Sequence, residues 1–364
     1  MIHYILHRND NYNSDATYNR VRLICQGLTR CQVNVKFHLL ILPQNSSLFD
    51  KGIVYLRDLF RLLFLLLVTG KKDVVIFYGN TFFYYLYPLF CKKTNLVIEH
   101  NDYPFHEIIQ NINKSNEKWS KRNLEYLKYA SCVITCSSYL KDYFGKLVND
   151  IYICPLVVDL DEFVYSKGQT NAIDGEYIAY CGNLNNEKDG VMILFDAFRS
   201  FHIKYPNMKL VLIGNGENEF VNNLKEKIID NDLRECVIIK GPVPHDEVCN
   251  WLVNATILAL ARPSSRQAEG GIPSKVGEYL ASGVPCVITR TGDLPLYLND
   301  GIDCFLCNPD SVELFTERLE QCYLSDRTVV GEMGRKSALQ FSNIVQAKHL
   351  IDYLERKYNI SLKA

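Results

Sequence analysis

Short apolar runs alternate with amphipathic stretches almost from end to end of the chain, which predicts strands and helices in turn. In the first half the strand candidates are Ile2–His7, Val33–Leu42, Val74–Tyr78, Leu96–His100, Cys132–Cys136 and Ile151–Val158. A polar, glycine-containing stretch over 165–176 reads as a linker. The pattern then restarts with Tyr177–Gly182, Leu210–Gly214, Val237–Gly241, Ile257–Ala261 and Cys286–Thr289. Val191, Leu194, Phe195 and Phe198 recur at the core spacing of a helix. Near-continuous apolar strands separated by helices predict parallel sheets covered on both faces. The expected α/β architecture is two Rossmann-like, doubly wound domains, 1–164 and 177–340, facing a central cleft. Helical segments at Ser311–Ser325 and Ile344–Tyr358 pack the second domain, and a C-terminal helix within 341–364 is free to return to the first. Leu59–Val68 is apolar but contains Arg61 and is too short to span a bilayer, so it reads as a buried helix.

With 364 residues there is enough chain for two cores. An apolar fraction of 48% and a charged fraction of 22% are those of an ordinary soluble globular protein, and a net charge of -1 argues against a general nucleic-acid binder. The basic cluster Lys118, Lys121, Arg122 and Lys128 reads as a solvated helix face. Thirteen dispersed cysteines, among them Cys132, Cys181, Cys236 and Cys286 in strand-like or buried runs, read as reduced core thiols of a cytoplasmic protein. Cys304 and Cys307 form a lone CxxC with no second pair to complete a zinc site. The amino terminus opens on a strand-like Met1–His7 and shows no signal peptide.

Chemistry concentrates in Glu269–Pro285, where a glycine-rich loop runs into a helix and then a buried strand. Gly270 and Gly271 permit close backbone approach, and Pro273 suits a first helical turn. The free amides of Ser274, Lys275 and Val276 would face an anion, to which Lys275 adds a full charge. Glu278, one turn on, can offer its carboxylate to a ribose diol. These residues suggest a nucleoside diphosphate, and taken alone they fit a capped amphipathic helix packing on a sheet equally well.

Four pieces together carry a resemblance: Gly182–Gly190, Val211–Glu217, Lys240–Pro244 and the loop through Pro285. In this order and spacing the chain resembles GT-B-fold glycosyltransferases of the family-four retaining type, the group 1 enzymes. The resemblance implies a second domain that binds a UDP- or GDP-sugar donor without a metal or further cofactor. It implies a first domain that takes a carbohydrate or lipid-linked saccharide acceptor, in surface polysaccharide or glycoconjugate synthesis, with peripheral contact to the inner membrane face left open. Lys188 is then the cation on the departing diphosphate. The arginine such enzymes often carry five residues earlier is replaced by Asn183, so Lys275 becomes the second cation by placement. Of the family's paired glutamates, Glu278 matches the second, which reaches the ribose. The first position is Gly270, leaving the sugar to a slipped Glu269 or to the amides of Gly270, Gly271 and Ile272.

Gly214, Asn215 and Gly216 resemble the turn beside the nucleotide, and a bare structural turn fits them nearly as well. The backbone of Val243, between two prolines, falls where such folds meet the base. His100, at a strand end, matches the histidine that lies near the transferred sugar and acceptor, where it positions groups or moves a proton. Glu99 should alternate to the other face and be structural. The first loop, Arg8 to Asp15, lacks the paired glycines of many relatives. Asp159-Leu160-Asp161 spells a metal-binding DxD yet resembles the opening of a linker helix, and Ser137-Ser138 reads as a helix N-cap. Two rivals remain. A dehydrogenase lacks its third glycine after Gly214-Asn215-Gly216; a GT-B-like binding subunit without activity is motivated by Asn183 and the displaced glutamate.

Overall fold

The computed structural model describes residues 1–9, 16–43, 46–79, 83–102, 121–165 and 173–363. Most of the first loop, the segment that follows Asp102, Lys118 and much of the expected linker lie outside the described residues. The chain divides into two compact units, one formed by Met1–Val157 with Asn343–Ala364 and the other by Val158–Ser342.

The first unit is built on a parallel sheet ordered β2-β1-β3-β4-β5-β6, with β1 at Ile2–Asn9, β2 at Val35–Leu42, β3 at Val74–Tyr78, β4 at Asn95–Glu99, β5 at Cys132–Thr135 and β6 at Ile151–Ile153. Alternation along the strands feeds two cores. Tyr4, Leu6, Val74 and Ile76 pack with helix α1 (Ala16–Arg30) and with the carboxyl-terminal helix Asn343–Tyr358. Ile5, Val75 and Phe77 pack on the opposite face with Leu62 and Leu65 of α2 (Leu48–Val68) and Phe90 of α3 (Tyr87–Lys93). Each fully buried aliphatic or aromatic side chain contributes on the order of 1.5–3 kcal/mol, which is why the fully apolar strands sit at the sheet centre.

The segment Leu59–Val68 departs from its expected burial. It is the second half of the longer helix α2, which buries only Asp58, Leu62 and Leu65 while Phe60, Phe64, Leu67 and Val68 stay exposed. A helix covering one face of a sheet needs only one apolar stripe, and α2 carries two. Among the described residues no helix is long and apolar enough to cross a membrane.

The second unit has the strand order β12-β11-β10-β7-β8-β9, all parallel, with β7 at Tyr177–Cys181, β8 at Lys209–Ile213, β9 at Val237–Gly241, β10 at Ile257–Leu260, β11 at Cys286–Thr289 and β12 at Phe305–Cys307. Helix α4 (Val191–Lys204) buries Val191, Leu194, Phe195 and Phe198, the residues whose spacing predicted it. Successive strands leave β7 in one direction and β10 in the other, so the switch point of the sheet lies between these neighbours. The expected α/β class of two doubly wound parallel sheets is the one observed.

Close packing of α1 on the start of the carboxyl-terminal helix depends on one missing side chain. A Cβ at Gly27 would stand 2.1 Å from the Asn343 carbonyl oxygen, a backbone atom that cannot swing aside. Gly27→Ala should therefore lower stability by at least about 1–3 kcal/mol, the usual range for overpacking. Urea unfolding of the full chain followed by circular dichroism measures this; an unchanged midpoint would mean that the two helices do not meet there.

Candidate functional site

In the second unit the candidate residues gather where β7 meets its neighbours. The chain leaves β7 at Cys181 and passes through Gly182–Gly190 into α4. On the other side of the switch point it leaves β10, passes Arg262 and enters the short helix α5 (Arg266–Gly270), whose first turn is capped by Ser265 accepting from the Ala268 amide at 3.0 Å. Helix α6 (Ser274–Ser282) follows. Pro273 is its N-cap, one position before the first helical turn where the sequence suggested it, and Gly283 ends it with φ at 73°. Glu269 and Gly270 thus belong to a helical turn rather than to a free loop, because Ser265 caps that turn and Gly271 leaves it in extended conformation.

The centre of the arrangement is Asp189, whose side chain is 1% exposed. Its Oδ2 accepts from Lys275 Nζ at 2.9 Å and from the Tyr180 hydroxyl at 2.8 Å. The lysine arm reaches Asp189 by crossing the backbone of Gly182, where a Cβ would lie 1.9 Å from Lys275 Cε, so a side chain at 182 would displace the lysine from this pose. Burial alone would raise the Asp189 carboxyl, but Lys275, Tyr180 and Arg262 outweigh it and hold the group below the usual carboxylate range. Arg262, only 4% exposed, donates from Nη2 to the Gln267 carbonyl at 3.0 Å. Lys275 is thus paired directly with a buried carboxylate that also feels Arg262, and the acidic Glu278 stands beside the same strand end.

Lys275 and Glu278 are one helical turn apart on α6 and both face the end of β7. Burial pushes the Cys181 thiol up to about 12, with Glu278 adding to the shift and Lys275 opposing it. The Cys181 amide donates to the Tyr279 hydroxyl at 3.1 Å, fixing α6 against the strand end. The amide of Val276 is already taken by the Pro273 carbonyl at 3.1 Å, which removes it from the set that could face an anion.

Gly214, Asn215 and Gly216 lie along the same edge. The Gly182 amide donates to Ile213 at 2.8 Å, the Leu184 amide to Asn215 at 2.6 Å, and the Gly214 amide to Gly241 at 2.9 Å. These bonds tie the ends of β7, β8 and β9 in a row, with Val243 two residues past Gly241. Lys188 occupies the exposed turn next to Asp189; the Asn185 carboxamide oxygen accepts from the amides of both, at 3.0 and 3.4 Å. Glu269 is turned elsewhere, its Oε2 accepting from the Gly292 amide at 3.2 Å in the loop after β11. Gly270 is buried and Ile272 half-buried between α5 and α6.

In the first unit His100 stands just past β4, its amide donating to Ile134 at 2.8 Å. The imidazole is 6% exposed and packs against Phe144 with centroids 5.1 Å apart. Neither ring nitrogen has a hydrogen-bond partner among the described residues. Burial lowers its pKa against the opposing pull of Asp102, which favours the neutral ring. Glu99 faces away and is buried, receiving Arg20 Nε and Asn101 Nδ2 at 2.6 Å each. Arg20 also binds the carbonyls of Pro155 and Cys154, so this carboxylate clips α1 to two strand ends. The Asp159 carboxylate accepts from the Asp161 amide at 3.2 Å, a local cap, and Ser137 caps the helix Ser138–Phe144 through the Leu140 amide.

Sequence reasoning passed over Asp189, Tyr180 and Arg262. A signal existed for two of them: a charged residue directly before a left-handed Gly190 that opens an apolar helix, and a lone arginine ending the apolar run Ile257–Ala261.

Residues 175–325 match the model of the family described as Glycosyl transferases group 1. The chain is 28% identical over 176 residues to the amylovoran biosynthesis glycosyltransferase AmsK of Erwinia amylovora, covering 47% of this chain and 42% of that protein. It is 29% identical over 189 residues to a D-inositol 3-phosphate glycosyltransferase of Corynebacterium kroppenstedtii, covering 49% and 40%. The chain thus spans less than half the length of these curated relatives. Among solved structures, sucrose-phosphate synthase of Thermosynechococcus elongatus superposes with a TM-score of 0.72 at 13% identity, over 98% of this chain and 99% of that one. HepE of Anabaena in complex with UDP superposes with a TM-score of 0.68 at 14% identity, over 98% and 100%. The fold is therefore GT-B.

Replacing Asp189 by Asn leaves Lys275 without its counter-ion and should cost about 3 kcal/mol, as for other broken buried pairs. Because the folded carboxyl titrates below its unfolded value near about 4, the contribution is complete above that pH and is lost as pH falls through the folded value. The deficit of Asp189→Asn relative to the parent should therefore shrink under acid. Urea unfolding at a series of pH values tests both points; a pH-independent deficit would show that Asp189 is not ionised in the folded protein.

Proposed function

Because residues 175–325 match the model of the family Glycosyl transferases group 1, we propose that the chain is a glycosyltransferase moving a sugar from a nucleoside-diphosphate donor to a carbohydrate or lipid-linked acceptor. The observation that carries this reading is the charge cluster at the switch point of the second unit, where Lys275 is held on the buried Asp189 at the start of α6, with Arg262 and Glu278 beside it. Breaking the bond between the anomeric carbon and the diphosphate leaves negative charge on the phosphate oxygens. Preorganised positive groups next to that position lower the barrier because they need not reorganise as the charge appears. Lys275, the first amides of α6 and the exposed Lys188 supply it, and together they take over from the arginine that Asn183 replaces. No metal enters this reading.

Glu278 takes the ribose diol, and the Gly214–Gly216 turn with the Val243 backbone flanks the nucleoside. Because Glu269 is engaged with Gly292, contacts to the sugar fall to the amides of Gly270, Gly271 and Ile272. That HepE, which shares the fold, is known with UDP and with UDP-glucose supports a nucleotide-sugar donor. The reaction retains the anomeric configuration, the departing phosphate guiding the acceptor hydroxyl from the same face. In the first unit His100, whose burial favours the neutral ring and whose nitrogens have no hydrogen-bond partner among the described residues, orients the acceptor or passes its proton. All thirteen cysteines are free, which supports a reducing, cytoplasmic compartment. The name of AmsK favours polysaccharide synthesis as the setting. Asn183 and Gly270, at positions where such enzymes carry charged groups, favour a second reading as a binding subunit without activity.

Glu278→Ala should weaken nucleotide affinity about 10- to 150-fold, the cost of a lost charge-assisted contact. Titration calorimetry with UDP and GDP reads this directly; unchanged affinity in a folded variant would remove Glu278 from the site. His100→Ala should lower single-turnover sugar transfer by about 10²–10⁴-fold with nucleotide affinity nearly constant. Loss of both together with a lower melting temperature would make His100 structural. Nucleotide binding by the parent protein without nucleotide release from any sugar donor and acceptor would favour the binding subunit.

A further inference from the structure

Helix α2 is apolar on two opposite sides. Leu62 and Leu65 enter the core of the first unit, while Phe49, Ile53, Leu56, Phe60, Phe64 and Leu67 are between 52% and 76% exposed. The exposed six recur at intervals of four, three, four, four and three residues, which places them on one stripe of the helix. A helix of this length runs about 30 Å, so the stripe exceeds the scattered apolar exposure normal for a soluble surface. It is preformed: Ser47 caps the helix by accepting from the Asp50 amide, and the inner face is locked into the sheet.

Charge around the stripe has one prevailing sign. Arg57 and Arg61 follow its edge, and between them stands a single acid, Asp58, which is 1% exposed while the two arginine side chains are 44% and 57% exposed. Beyond the carboxyl end of α2 lie the exposed Lys71 and Lys72. Lys93 of α3 donates to the carbonyls of Leu66 and Leu67, bringing the basic end of that helix, with exposed Lys92, beside the same terminus. The nearby Asp73 is held by the amino-terminal ammonium at 3.2 Å, and Asp50 lies in the first turn, at the far end.

We propose that α2 docks the protein on an anionic lipid bilayer, lying in the interface plane with its phenylalanine and leucine stripe among the acyl chains and its basic border on the headgroups. A straight row of bulky apolar side chains without polar anchors suits fluid acyl chains, and cations along its margin suit acidic headgroups. Pairing of two copies through the same stripe would bring one cationic border against another, which disfavours self-association. The proposal is independent of glycosyl transfer, whose failure would leave it standing.

The test is flotation of the full chain with phosphatidylcholine vesicles prepared with and without phosphatidylglycerol. The parent should float with the anionic vesicles, and more weakly at high salt. F60E combined with F64E should lose at least about tenfold in partition. K71E combined with K72E should lose about fivefold or more per lysine. Both changes fall on exposed side chains outside the candidate nucleotide site, so UDP or GDP affinity should not move; if the phenylalanine pair misfolds, Leu67→Asp replaces it. Absence of the parent from the floated fraction, or flotation unchanged in the phenylalanine and lysine variants, overturns the proposal. So does a parent dimer in light scattering that F60E with F64E dissociates while vesicles bind nothing.

Discussion

A carboxylate buried at the end of a parallel strand must be neutralised, and in the second unit that requirement organises everything around it. Asp189 cannot keep its charge at 1% exposure unless Lys275, Tyr180 and Arg262 stay within reach. Holding Lys275 there demands a glycine at position 182, since the lysine arm crosses that backbone. It also sets the rotation of α6, and hence the direction in which Glu278 faces. The same ionic contact that secures the helix holds Lys275 at its first turn, where a diphosphate would meet it. Stability and anion recognition draw on one cluster, so a substitution there is expected to disturb both, and affinity measurements need a folding control.

The first unit solves a comparable problem differently. Glu99 is equally buried at the end of β4, where burial raises its pKa to about 8; Arg20 binds its Oε1 and spends its remaining donors on the Pro155 and Cys154 carbonyls. That carboxylate is occupied as a clip. Its neighbour His100 faces the other way and keeps both nitrogens unbonded among the described residues. Alternation along a single strand end thus separates a structural carboxyl group from a group available to a substrate. Helix α2 extends the contrast between used and unused groups to the surface, where its inner stripe completes the core and its outer stripe lacks an occupant within the described chain.

Strand and helix identity was legible in the sequence because it follows from local periodicity. Apolar runs such as Val74–Tyr78 and Leu210–Ile213 form strands in any arrangement that buries both sheet faces, and the spacing of Val191, Leu194, Phe195 and Phe198 specifies a helix without reference to partners. The loop at Glu269–Pro285 stood out for the same reason, as glycine, proline and a basic residue in a short window. Tertiary structure alone decided what depends on residues far apart in the chain. Asp189 and Lys275 are 86 positions apart, and nothing local to either announces the pair. Burial of Leu59–Val68 was misjudged because periodicity reports how apolar a helix is, not how many of its faces meet a neighbour. The chain's sequence therefore determined its elements and the chemistry it carries, while the fold decided which charges cancel, which remain free and which apolar face is left to solvent, since those outcomes arise from contacts that local sequence does not encode.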